Sequence, residues 1–286
     1  MKIDGHTVLT GLLGSPVSHS ISPLIHNEAF RMLDLNYVYI CFDVNTENLK
    51  TAVEGLKVLG VKGFNCTFPD KNLMYEIADK LSPAAKIIKA VNTVLNEDGV
   101  LTGFNTDGVG YMLSLKNAGL DILGKKMTLL GAGGAATSIA VQAALDGVAE
   151  IDIFSRKTKF WNRVNELADT LNRDTSCRVS VYDMADNTQL KQSMADSAIL
   201  TNGTTVGMAP DTDNCLITDM SMFHEELIVS DVIYNPRETK LLKLAKEHGC
   251  IAFPGLDMLL YQGAEAFKIW TGKEMPVSVI KEKYFS

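Results

Sequence analysis

Little in this chain can cross-link, chelate a metal or enter a membrane. Its five cysteines (Cys41, Cys66, Cys177, Cys215 and Cys250) are odd in number, scattered, and never spaced as Cys-x-x-Cys. That spacing argues against a disulfide framework and a zinc site, and it fits a reducing cytoplasm. His19, His26, His224 and His248 lack metal-ligand spacing and read as structural or exposed; His6 carries no signal. No metal is expected. No apolar run approaches the roughly 20 residues of a membrane span, and the N-terminal residues lack the basic-then-apolar pattern of a secretory leader. Positive charge is also in short supply: 27 Lys and Arg stand against 34 Asp and Glu, a net charge of −7. A general nucleic-acid binder is therefore not expected, although a local basic pocket remains open. There is no internal repeat and no low-complexity linker. What is present is a chain of 286 residues, 46% hydrophobic, enough for two domains with sizeable cores.

Strand-like and helix-like segments alternate along the chain. Residues 7–13, 37–42, 61–66 and 91–95 read as strands, with a turn at Asp98-Gly99. Helices are expected at 49–59, 69–81 and 107–118, and from Ser22-Pro23 onward, with Ser22 as N-cap. From residue 126 the rhythm becomes regular. Strands at 126–130, 151–154, 178–182, 198–201, 228–233 and 250–253 alternate with helices at 137–145, 160–171 and 239–247, before a last helix at 256–270. Such alternation predicts parallel sheets with right-handed crossovers.

The run Gly131-Ala132-Gly133-Gly134-Ala135-Ala136 follows one of these strands and opens a helix. It reads as a dinucleotide-binding turn. Gly131 permits the tight turn, Gly133 lets backbone approach a pyrophosphate, and Ala136 takes the third small position, where helix and strand pack closely. Free N–H groups at the helix start favour phosphate. The plain alternative is a strand–helix turn that binds nothing. The motif lies near mid-chain, so the first half must do something else.

In that half, polar residues cluster where strands should end: Ser18 to Pro23, Asn65 to Lys71, Val91-Asn92-Thr93, and Gly103 to Asp107. Open α/β sheets bind ligands beyond the carboxyl ends of their strands. Ser20 and Ser22 with helix N–H groups suit a carboxylate; Thr67, Asn92 and Asp107 suit hydroxyls. Each also has a plain reading: Ser22 and Asp107 as N-caps, Asn92 and Asn105 as turn residues. Lys71 is harder to explain that way. It stands in the first turn of the helix expected at 69–81, against the macrodipole, whose field favours the neutral amine. A carboxylate such as Asp107 favours the charged form. That balance suits a lysine exchanging a proton with a substrate hydroxyl. The alternative is a solvated surface lysine.

The segments Ser18–Pro23, Asn65–Lys71, Ala90–Val94, Gly103–Asp107, Gly131–Ala136 and Tyr261-Gln262-Gly263-Ala264 resemble, in order, the motifs of the shikimate dehydrogenase family, over nearly the whole chain. The text around 129–154, 201–208 and 261–272 is most similar to its quinate/shikimate dehydrogenase branch. The resemblance implies an α/β fold of two domains. Residues 1–113 would bind shikimate or 3-dehydroshikimate, or quinate, in an α/β substrate domain. Residues 114–254 would form a Rossmann-type doubly wound parallel sheet for the nicotinamide cofactor. Residues 255–286 would return as helices to the first domain. It implies Lys71 and Asp107 as the catalytic pair, Ser20 and Ser22 on the carboxylate, and Thr67, Asn92, Tyr234 and Gln262 completing the pocket. Cofactor contacts would come from Gly131, Ala132, Gly133, Gly134, Ala135, Ser155, Arg156, Lys157, Thr158, Thr205, Val232 and Gly255. The implied reaction is cytoplasmic, reversible hydride transfer between nicotinamide and 3-dehydroshikimate, as used in making chorismate and aromatic amino acids, by a monomer or homodimer. Cys66 stands where the family often has valine, and Asp70 where a basic or polar residue is frequent.

Cofactor choice departs from both common patterns. NAD-specific folds place a carboxylate at the end of the second strand. Here that strand runs into Ser155-Arg156-Lys157-Thr158-Lys159, with no carboxylate. The quinate/shikimate branch often carries aspartate near Thr158, and the NADP-type triplet is Asn-Arg-Thr. Arg156 could fork onto a 2′-phosphate, and Lys157 and Lys159 add charge. Electrostatics favours NADP and leaves NAD use open. Three other readings stand beside this one. A methylene-tetrahydrofolate-type dehydrogenase would place a tyrosine one turn before the lysine, where Thr67 and Phe68 stand. A non-catalytic sensor of the same fold would not need the Lys71/Asp107 pair. An amino-acid dehydrogenase would need an ammonium pocket.

Overall fold

The computed structural model describes residues 3–158 and 161–285. The chain forms two compact units, residues 1–110 with 260–286, and residues 111–259.

The first unit contains β1 (Val8–Gly14), α1 (Ser22–Met32), β2 (Tyr37–Asp43), α2 (Leu49–Val58), β3 (Gly63–Cys66), α3 (Lys71–Ile77), β4 (Lys80–Leu81), α4 (Pro83–Ile88), β5 (Thr93–Glu97) and β6 (Val100–Phe104), followed by the start of α5 (Asp107–Asn117). Among the described residues its six-stranded sheet has the order β2-β1-β3-β5-β6-β4. It is mixed, whereas alternation alone predicts a parallel sheet. β2, β1 and β3 run parallel, but β5 runs antiparallel to both β3 and β6. The cause is the Asp98-Gly99 turn, whose two residues adopt positive φ (52° and 84°). That conformation matches the twist of a two-residue hairpin and folds β6 straight back on β5.

Two helix expectations also change. The helix expected over 69–81 holds two elements, α3 and β4, because Ala78 is extended; beyond it, Ser82 precedes a proline that holds it extended. Ser82 then caps the new helix, accepting from the Ala85 N–H at 3.3 Å. At α1 the N-cap is Ile21, not Ser22, and Ser22 is already helical. The Ser22 N–H donates instead to Ser20 Oγ at 3.2 Å, so Ser20 serves one of the free donors at that helix start.

The second unit contains β7 (Lys126–Leu130), α6 (Gly134–Asp146), β8 (Glu150–Ser155), α7 (Trp161–Asp174), β9 (Arg178–Asp183), α8 (Asn187–Ala195), β10 (Ile199–Asn202), β11 (Ile228–Asp231), α9 (Lys240–Glu247) and β12 (Ile251–Phe253). Its described strands are all parallel, in the order β12-β11-β10-β7-β8-β9. This is the doubly wound dinucleotide-fold order, with its switch point between β7 and β10. Apolar residues of β7, β8, β10 and β11, including Leu130, Phe154, Leu200 and Val229, are buried against α8 and α9.

The chain closes with α10 (Leu256–Thr271) and α11 (Val277–Phe285). Leu260, Ala264, Phe267, Trp270 and Ile280 share one buried cluster with Leu12, Ile25, Phe30 and Tyr39 of the first unit. Trp270 Nε1 donates to the Val94 carbonyl at 2.9 Å. His26 lies in the same cluster, stacked on Tyr39 at 4.4 Å, and burial pushes its imidazole down to about 3. It is a core residue. Among the described residues no helix is long and apolar enough to cross a membrane.

Candidate active site

The mixed sheet gathers the polar loops of the first unit at one edge. β1, β3 and β6 present their carboxyl ends there. β5 presents its start, since Asn65 is in register with Thr93 and Thr93 with Phe104. Asn92 therefore precedes a strand, where the sequence pattern suggests a strand end. It reaches the site because the hairpin places the residue before β5 beside the residues after β6.

Lys71 is the first residue of α3 and Asp107 the first of α5. Lys71 Nζ lies 2.6 Å from Asp107 Oδ2. Their side chains are 32% and 18% exposed, open enough for a ligand to reach both. The other oxygen, Oδ1, accepts from Asn92 Nδ2 at 2.8 Å. Asn92 Oδ1 in turn accepts from the Thr106 N–H at 2.8 Å, which ties the loop before α5 to the start of β5. Asn105 accepts from the Asp107 N–H at 3.2 Å, so its turn-residue reading holds.

The network continues inward. Asn65 Nδ2 donates to Thr93 Oγ1 at 3.0 Å and to the Asn92 carbonyl at 3.2 Å. Asn65 Oδ1 accepts from the Tyr39 hydroxyl at 2.8 Å. Tyr39, Asn65, Asn92, Asp107 and Lys71 thus form one connected polar path. Burial raises the Tyr39 phenol well above its ordinary range, so it stays a neutral donor. Tyr39 and Asn65 are absent from the sequence-based candidates. Asn65 had a signal, since it stands inside a motif segment. Tyr39 had none, because it reads as an ordinary strand aromatic.

Thr67 follows β3, and its N–H donates to the Leu13 carbonyl at 3.0 Å. Gln262 is placed by helix packing. A Cβ on Gly110 would lie 2.4 Å from the Gln262 nitrogen, so only glycine lets α10 approach α5 one turn beyond Asp107. Cys66 is buried beneath this edge, and burial, then the Asp70 charge, pushes its thiol up to about 12. It is no nucleophile. Asp70 is fully buried and accepts from the Thr46 hydroxyl at 2.6 Å.

The second unit holds a cavity of about 540 Å³ over its switch point. Its walls include Gly131, Ala132, Gly133, Gly134, Ala135, Ser155, Arg156, Thr158, Thr205 and Val232. Gly131 has φ +110°, and a Cβ there would meet Thr204 at 2.8 Å. Cβ atoms at Gly133 and Gly134 would meet nothing within 4 Å. The turn therefore leaves an open cradle at the N-terminus of α6, shaped for a pyrophosphate against free N–H groups. Ala136 packs where expected: a Cβ on Gly203 would lie 2.7 Å from its Cβ.

Two of the expected cofactor residues do not line this cavity. Lys157 is not on the cavity wall; its ammonium pairs with Asp183 at 3.2 Å. Gly255 is not on it either. It backs the wall, since a Cβ there would lie 2.3 Å from Val232 backbone. Tyr234, expected on the substrate, lines this cavity. Lys159 lies outside the described residues. Among the residues not foreseen, Thr204 is held by Asn202, whose Oδ1 accepts its N–H at 3.0 Å and its hydroxyl at 2.7 Å. Asn202 also donates to Asp231 Oδ1 at 3.1 Å, and burial pushes the Asp231 carboxyl up.

Residues 12–94 match the model of the shikimate dehydrogenase substrate binding domain, and residues 255–283 that of the shikimate 5′-dehydrogenase C-terminal domain. The chain is 52% identical to a shikimate dehydrogenase (NADP(+)) of Listeria innocua, covering 99% of this chain and 98% of the relative. A crystal structure of shikimate 5-dehydrogenase from Listeria monocytogenes, in complex with shikimate and NAD, superposes with a TM-score of 0.96 at 51% identity, covering 99% and 98% of the two chains. Quinate dehydrogenase from Corynebacterium glutamicum, in complex with NAD, gives a TM-score of 0.85 at 29% identity, covering 96% and 98%.

Proposed function

The chain belongs to the shikimate dehydrogenase family, and from that premise we propose which of its own residues carry the chemistry. Its reaction is the reversible NADP-dependent reduction of 3-dehydroshikimate to shikimate. The observation that carries the site assignment is the Lys71–Asp107 pair at 2.6 Å, braced by Asn92.

When bound, the nicotinamide supplies or takes up the hydride. Lys71 gives a proton to the substrate oxygen during reduction and accepts one from the hydroxyl during oxidation. Asp107 accepts from Lys71 and from the neighbouring substrate hydroxyl, which orients both. Asn92 fixes the carboxylate through its other oxygen. Ser20 and Ser22 hydroxyls donate to the substrate carboxylate, with Thr67 and Gln262 on the remaining hydroxyls. Gly131 to Ala135 cradle the pyrophosphate, Arg156 and Thr158 meet the adenosine end, and Tyr234 and Val232 line the wall of the same cavity. The free thiols and the likeness to small-molecule biosynthetic enzymes support a cytoplasmic location.

The test is an assay at 340 nm (the absorbance of reduced nicotinamide) crossing shikimate and quinate with NADP and NAD. NADP-linked oxidation of shikimate is expected. Silence with shikimate and both cofactors overturns the reading. A higher kcat/KM for quinate than for shikimate would move the protein to the second reading, which the quinate dehydrogenase likeness supports.

A further inference from the structure

The rim of the dinucleotide cavity holds a charge arrangement that the strand-end sequence does not reveal. Ser155, Arg156, Thr158 and Met184 are on the wall, while Lys157 and Asp183 are not among its lining residues. Ser155 ends β8 and Asp183 ends β9, and the two are directly in register. The Met184 N–H donates to the Ser155 carbonyl at 2.9 Å, pinning the two strand ends together.

Asp183 is fixed at both oxygens. Oδ1 accepts from the Ala185 N–H at 3.1 Å, and Oδ2 receives Lys157 Nζ at 3.2 Å. The backbone bond, then Lys157, hold this carboxyl below its ordinary range, so it is ionised at neutral pH. Lys157 is restrained a second time, with Nζ 5.6 Å from the Trp161 ring centroid. Arg156 has no ion-pair partner in the described residues, and it faces the cavity. Of the three charged groups among the described residues here, Arg156 has no ion-pair partner and the other two neutralise each other.

We propose that Asp183 is a specificity-determining residue for the cofactor: by holding Lys157 off the cavity it limits how strongly the rim prefers a dinucleotide bearing a 2′-phosphate. The inference rests on the reading of this cavity as a nicotinamide dinucleotide site. NAD-specific folds place their discriminating carboxylate at the end of the second strand, on the ribose. Here the carboxylate ends the third strand and acts through the lysine between. Arg156 alone then faces the ribose end, a moderate preference for NADP that leaves NAD usable. Neutralising Asp183 releases the Lys157 ammonium on a stem long enough to reach the rim.

The test uses the full chain and two probes that differ only by that phosphate, 2′,5′-ADP and 5′-AMP, titrated calorimetrically without substrate. Asp183→Asn keeps an acceptor for the Ala185 N–H and drops the charge; Asp183→Ser is a second variant should the first fold poorly. The expected result is that Asp183→Asn binds 2′,5′-ADP about three- to fivefold more tightly, as one extra exposed cation contact gives. 5′-AMP affinity stays unchanged, and the salt dependence of 2′,5′-ADP binding steepens. Lys157→Gln in the Asp183→Asn background cancels the gain, while alone it changes the probe ratio by less than about twofold. An unchanged ratio in Asp183→Asn overturns the inference, as does an equal change for both probes. A collapse of the ratio in Lys157→Gln alone also overturns it, because Lys157 would already be on the phosphate. If neither probe binds the unaltered chain, the dinucleotide reading itself fails and takes the inference with it.

Discussion

The Lys71 ammonium meets the Asp107 carboxylate at 2.6 Å, although 36 positions separate them in the chain. Each is the first residue of its helix, so two helix starts face one another across the sheet edge. Lys71→Ala is expected to lower kcat by roughly two to four decades, the contribution of one general acid/base, with a modest change in shikimate affinity. Steady-state kinetics and equilibrium binding check both halves, and near-normal turnover would remove Lys71 from the mechanism.

Ser20→Ala and Ser22→Ala are expected to raise KM for shikimate more than they lower kcat. Their contact with the carboxylate is remote from the reacting carbon and is nearly the same in ground and transition states. The stability cost belongs to Ser20, which accepts from the Ser22 N–H, and should be about 0.5–1 kcal/mol in urea unfolding. If both variants keep the original KM, the carboxylate binds elsewhere.

Tyr39→Phe removes the hydroxyl that donates to Asn65 in the polar path. Asn65 then loses a buried partner, and the expected destabilisation is about 1–3 kcal/mol. The ring stack on His26 should survive. Measured together, urea unfolding and kcat separate the two effects: the stability loss appears first, and a smaller kcat loss follows from looser placement of Asn92.

His26 gives the fold an acid-sensitive core. Its folded-state value of about 3 lies below the 6.5 of an unfolded histidine. The unfolded chain therefore binds the extra proton, and the stabilisation present above pH 6.5 is lost as pH falls towards 3. The slope from this one group is at most about 1.4 kcal/mol per pH unit. His26→Phe keeps an aromatic ring in the stack, so its urea midpoint should change less between pH 7 and pH 5, in the paired denaturation curves, than that of the unaltered chain. Equal changes would assign the acid sensitivity to other groups.

Cofactor preference is expected to be electrostatic. kcat/KM for NADP should exceed that for NAD at low ionic strength, and the ratio should fall as salt rises, because the Arg156 contact is exposed and screened. A clear NAD preference at low salt would show that rim charge does not decide the choice.

The second unit was the more legible in the sequence. A parallel sheet repeats one local rule, strand then glycine or cap then helix, and Gly131, Gly147 and Gly249 take the positive φ that their turns require. The first unit breaks that rule at Asp98-Gly99, and the consequence, a mixed sheet with Asn92 at a strand start, depends on pairing between distant segments. The helix expected over 69–81 stops short of the Ser82-Pro83 cap, but periodicity carried it through Ala78, whose extended backbone no local residue type marks. Lys157 illustrates a different limit. Its charge is plain in the sequence, but its direction is set by Asp183, more than 20 positions later, and no local pattern encodes that pairing.

The return of α10 and α11 to the first unit sets an order on synthesis. Lys71, Asn92 and Asp107 all leave the ribosome within the first 110 residues of the chain, yet the apolar faces of Ile25, Phe30 and Tyr39 are covered only by Leu260, Phe267 and Trp270. Until the final segment emerges, the first unit has an uncovered sheet face and an uncovered helix face. A nascent or prematurely ended chain would thus carry the proposed catalytic pair and still lack the surface that holds it in place, making it a client for chaperones rather than a small working enzyme.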